Sequence, residues 1–168
     1  MRSKGWIVLM GACLLFISAA AGASDYKDWI PLLPEGVGGL QKSGKPEGMN
    51  MEMDDQKWSM VQQEYTSDSS EESINVILVG GQGAPQIAGF QTMSSMTMET
   101  EEQIVKTVEV LEYKGLLNLE KNEQRGTLMI ALTENMMVVI EATPITEETE
   151  LMKLAQDVPL SKLAAEAK

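Results

Sequence analysis

Met49-Asn50-Met51-Glu52-Met53 and Met93-Ser94-Ser95-Met96-Thr97-Met98 gather thioethers into two short stretches. The chain has thirteen methionines, one cysteine and no histidine. Thioether sulfur is a soft donor that selects Cu(I), or its mimic Ag(I), over hard ions. In an extended segment alternate side chains project to one side, which leaves the sulfurs of Met49, Met51 and Met53 free to converge. Asp54 and Asp55 add negative charge beside them, and Trp58 offers a ring face to a cation. Met93, Met96 and Met98 form a second candidate metal group.

The M-x-M spacing resembles that of methionine-rich periplasmic copper carriers, and the likeness, one of spacing alone, implies Cu(I) as cofactor. The same residues also fit plain packing, with no cofactor at all. Alternate methionines describe one buried face of a strand, and methionine fills irregular cores. With only 5% aromatic residues, the chain needs core volume from other side chains.

Other chemistry finds little support in the residue pattern. Without histidine the chain lacks the usual general base and the commonest transition-metal ligand. Gly80-Gly81-Gln82-Gly83 lacks the Gly-Lys-Ser/Thr ending of a phosphate-cradling loop, and Gln86 stands where a third glycine is needed. Ser24-Asp25-Tyr26-Lys27 matches S-x-x-K but has no K-T-G partner. The acidic groups at Asp68–Glu72, Glu99–Glu102 and Glu147–Glu150 lack the alternating D-x-D-x-D-G loop that wraps calcium. A hydrolase using carboxylates alone is the remaining catalytic alternative, and the sequence leans against an enzyme.

Localisation and charge narrow the partners. Arg2 and Lys4 precede an apolar run from Trp6 to Ile17 and an Ala21-Gly22-Ala23 cleavage pattern. Residues 1–23 therefore read as a cleavable signal peptide, with the mature protein periplasmic or extracellular. A lipoprotein anchored at Cys13 is the lesser alternative, since Met10-Gly11-Ala12-Cys13 is a loose lipobox. Cleavage near Ala23 removes Cys13 and with it any disulfide. The net charge of −12 becomes more negative still without Arg2 and Lys4. Such a surface disfavours nucleic acid and electrostatic membrane binding.

Several elements must position these residues. Residues 24–56 read as a leading segment docked on a single α+β domain over residues 57–168. Asp25 to Ile30 suits a short helix stopped by Pro31 and Pro34, while Gly44, Pro46 and Gly48 break the stretch after Leu40. Strands are expected at 57–66, 73–79, 104–113 with 116–120 as a continuation or partner, 127–132 and 136–142. A helix opens at Pro85 with Ala84, Ile87, Phe90, Met93 and Met96 recurring every third residue. Another is expected from a Thr146 cap, with Leu151, Leu154, Ala155 and Val158 on its apolar stripe.

The fold class expected is α+β: an antiparallel sheet of about five or six strands packed by two helices, mainly on one face. This outline resembles exported PsbP-like domains. Both alternating sets in Thr127–Ala142 are apolar, so the second set, Met129, Ala131, Met137 and Val139, needs a cover. The leading segment with Trp29, another protein or a small apolar ligand would serve. The reading is an exported, non-catalytic binding or interaction domain, with a Cu(I)/Ag(I)-binding protein as the alternative.

Overall fold

The computed structural model describes residues 25–69 and 71–167. The proposed signal peptide and Cys13 lie outside the described residues. Two runs of strands build the sheet. The first comprises β1 (Gly36–Val37), β2 (Leu40–Met53), β3 (Gln56–Thr66) and β4 (Ser73–Gly81). The second comprises β5 (Met98–Glu99), β6 (Gln103–Val110), β7 (Tyr113–Glu120), β8 (Arg125–Thr133) and β9 (Met136–Thr143). They form one antiparallel sheet ordered β1-β2-β3-β4-β9-β8-β7-β6-β5. The second run starts at the far edge and folds inward until β9 pairs with β4.

The helices are short. They are α1 (Tyr26–Trp29), α2 (Pro85–Met93), α3 (Glu148–Leu154) and α4 (Leu160–Glu166), with 3-10 turns at Ile30–Leu32 and Ala155–Asp157. The expected sheet of five or six strands with two helices mainly on one face is therefore corrected to nine strands with four helices on both faces. Two of the additional strands, β1 and β5, are two residues long and carry no periodic signal. The third is β2, where Gly44 and Pro46 do not end the strand. They fall in a bulge between Ser43 and Glu47, beyond which pairing with β3 resumes. Proline is tolerated there because β2 lies at the sheet edge past its short contact with β1.

Strand alternation sorts the side chains into two cores. The first face carries Val61, Tyr65, Val76, Leu78, Leu117, Leu128, Ile130, Val138 and Ile140, closed by Trp29 and Leu33 and by Leu151, Leu154, Leu160 and Leu163 of the last two helices. Tyr65 Oη donates to the Pro34 carbonyl at 2.7 Å, and Gly38 N–H donates to Asp157 Oδ2 at 2.8 Å. These bonds tie both the leading and the trailing segment to this face. Trp29 thus belongs to the first core rather than covering the second apolar set.

The second core is smaller: Val79, Val105, Leu116, Met137 and Val139 on the sheet, under Ala84 and Phe90. Its cover is α2, on the stretch by which the chain crosses the sheet. The chain leaves β4 in the middle of the sheet and must reach β5 at the far edge, crossing β9, β8, β7 and β6. Gly81, at φ +113°, begins that crossing, and a Cβ there would lie 2.6 Å from Trp58 Cα. In the other direction the start of α2 reaches only as far as β3, where Gln86 touches Met60, and Met49, Met51 and Met53 of β2 remain exposed.

Candidate functional site

The second face holds most of the methionines. Register places Met49, Met51 and Met53 of β2 opposite Met60, Trp58 and Gln56 of β3. Met60 in turn lies opposite Val79, and Val79 opposite Met137. Met129 pairs with Val139 and Leu116, and Met98 with Val105. Five of the six large hydrophobic side chains exposed among the described residues are methionines: Met49, Met51, Met53, Met93 and Met96. The sixth, Leu111, lies in the turn between β6 and β7.

The two methionine clusters of the sequence do not meet. β2 and β5 are separated by seven strand spacings, roughly 33 Å across the sheet, and Met93 lies by Val105, Leu116 and Met129 of β6, β7 and β8. Each cluster has its own surroundings.

At the α2 end, a spacing of three falls about 60° short of a full turn at every step. The stripe therefore winds off the sheet as the helix proceeds. Phe90 is 6% exposed, but Met93 is 38% exposed. Met93 forms the rim of a groove of about 300 Å³ whose floor is Val105, Leu116 and Met129. Met129 is only half-buried there. The opposite rim is polar and internally bonded. Gln103 Nε2 donates to Asn118 Oδ1 at 2.8 Å, and Asn118 Nδ2 donates to Glu120 Oε1 at 3.2 Å. Arg125 reaches Glu120 at 3.6 Å and Glu123 at 2.9 Å. Glu141 also lines the groove.

At the β2 end, Met49 and Met51 are each 43% exposed and Met53 is 65% exposed. Met60 and Trp58 are half-buried, packed against the edge of the second core. Gln86 Nε2, at the start of α2, donates weakly to Met60 Sδ at 3.9 Å. The backbone behind the methionine row is fastened from the first face. Asn50 Oδ1 accepts from Ser59 Oγ at 2.8 Å and from Tyr26 N–H at 3.1 Å. Tyr26 also lies over Gly48, where a Cβ would clash with its ring. A recess of about 320 Å³ beside Met51 and Trp58 is lined as well by Asp25, Glu52 and Lys57. Lys57 pairs with Glu52 at 3.1 Å. The Asp25 carboxylate accepts from Lys27 N–H, which holds its pKa below the usual value.

Among the described residues no group of three or more His, Cys, Asp or Glu side chains is placed to hold a metal ion. No described helix is long and apolar enough to cross a membrane. Met60 joins the methionine row through the β2–β3 register. The signal for it in the sequence is the Asp54-Asp55 pair, a tight turn with Asp54 at φ +55° that folds Trp58 and Met60 back onto Met51 and Met49. Compared with known protein families, curated proteins and solved structures, the chain matches none, so the PsbP-like outline gains no support.

Proposed function

We propose that the protein is an exported, non-catalytic binding domain that takes an apolar group in the groove beside α2. It works in the periplasm or outside the cell after cleavage near Ala23. The observation that carries this reading is the open floor of the groove. Val105 and Leu116 are buried, yet Met129 between Met93 and the bonded polar rim retains access to solvent. A volume of about 300 Å³ suits one or two apolar side chains of a protein partner, or a small apolar ligand. Methionine supports such a role because its flexible, polarizable thioether adapts to differently shaped partners. The excess of 25 acidic over 13 basic residues disfavours nucleic acid and anionic headgroups as ligands.

The test uses N-phenyl-1-naphthylamine, a neutral fluorophore that brightens in apolar sites. The protein should give a saturable fluorescence rise, and Met93→Lys should weaken binding roughly tenfold, equivalent to one lost side-chain contact. Absence of a saturable rise, or an unchanged affinity in Met93→Lys, would contradict the groove as the binding site.

A further inference from the structure

The exposed methionines of β2 are not explained by the groove, which lies several strands away. Nor are they explained by packing. Leucine or a β-branched residue fills a strand face as well as methionine, and a strand favours the latter. Exposed apolar side chains on an edge strand also invite aggregation, so such positions ordinarily carry charge. Three methionines at alternate positions, each more than 40% exposed, are an unfavourable choice for stability alone.

We infer that Met49, Met51 and Met60 form a thioether site for a soft monovalent cation, Cu(I) or Ag(I), with the Trp58 indole beside the ion. Directly opposed residues on antiparallel strands hold their Cβ atoms about 4.5–5.5 Å apart, and diagonal neighbours somewhat farther. The pairs Met49–Met60 and Met51–Trp58 share one face. Three thioethers and one indole therefore project from a patch two residues long and two strands wide. The three torsions of each methionine side chain allow the sulfurs to turn toward a common point. Soft sulfur donors without imidazole or thiolate select a monovalent soft ion over Zn(II) or Ca(II). The indole face adds cation–π attraction.

The surroundings supply a fixed frame. Asp25, Glu52 and Lys57 line a recess behind the strand pair, where Lys57 neutralises Glu52 at 3.1 Å, so the site rests on its sulfur and indole donors rather than on neighbouring carboxylates. The bonds from Asn50 to Ser59 and to the Tyr26 backbone hold β2 in register from the opposite face. Binding would need little backbone rearrangement. Met60 would exchange its weak bond from Gln86 for the metal. Met53, opposite Gln56 at the turn, stands outside the patch.

The experiment is an anaerobic Ag(I) titration of the purified protein labelled at methionine methyl carbons, followed by NMR. The methyls of Met49, Met51 and Met60 should shift together and saturate at one equivalent, with the Trp58 indole N–H moving in parallel. Met93 and Met96, equally accessible, should not move at that point. Met49→Leu/Met51→Leu should lower Ag(I) affinity by about 100-fold or more, since outer-shell changes alone cost metal sites roughly 10–100-fold. Thermal unfolding of that variant should be unchanged, because both positions are exposed. Shifts spread evenly over every exposed methionine, no shift at one equivalent, or undiminished affinity in the folded double variant would each overturn the site.

Discussion

The second sheet face carries methionine in two opposite circumstances. Over β9 and β8, Met137 is sealed beneath α2 and Met129 lies half-covered at its margin. Over β2, Met49, Met51 and Met53 stand on the same face of the same sheet in open solvent. Residue type on this face does not separate the two sets, although the positions between differ, Asn50 and Glu52 in β2 against Val138 and Ile140 in β9. The difference is the path of the chain between β4 and β5, which carries a helix over β9 and β8, touches β3 only at Met60, and leaves the methionines of β2 exposed. A methionine stripe therefore means packing where the chain crosses it, and an accessible soft surface where it does not.

That contrast is measurable in stability. Met137→Ala should destabilise the protein by about 3 kcal/mol in chemical denaturation, the usual loss for truncating a buried methionine. Met51→Ala should change stability by less than about 0.5 kcal/mol, as exposed substitutions away from caps and cores do. Similar losses for the two variants would break the division between covered and open halves.

A smaller effect belongs to the first face and controls for general acid sensitivity. Glu150 Oε2 accepts the backbone N–H of Thr146 and of Glu147 at the start of α3, which lowers its carboxyl pKa. A lowered carboxyl pKa contributes stability that is fully present above the ordinary value and is lost as pH falls through the lowered one. Glu150→Gln should therefore reduce the melting temperature at neutral pH and flatten its decline between about pH 5 and pH 3. Methionine-face variants should keep the parent slope over that range.

Much of the central sheet was legible because apolar, β-branched runs of strand length bounded by turn residues mark strands buried on both faces. Strands β3, β4, β8 and β9 emerge from runs such as Ile74-Asn75-Val76-Ile77-Leu78-Val79 and Met136-Met137-Val138-Val139-Ile140. The edges were not legible. Gly44 and Pro46 read as breakers, yet an edge strand absorbs them in a bulge because its outer hydrogen-bonding groups need no sheet partner. The need for a cover on the second face was readable from the double apolar pattern of β8 and β9. Which element supplies it was not, because that depends on β5 pairing at the far edge rather than on any local signal. The methionine row was visible as a candidate ligand set, whereas Met60 entered it only through the register set by the Asp54-Asp55 turn.

The most direct test places both ligands on one sample. Methionine-methyl spectra of the protein would be recorded with N-phenyl-1-naphthylamine alone, then with one equivalent of Ag(I) alone under anaerobic conditions. Separate halves with separate ligands predict that the apolar probe moves Met93 and Met129 and leaves Met49 and Met51 in place, while Ag(I) does the reverse. Movement of the same methionines by both ligands would contradict the division of the face.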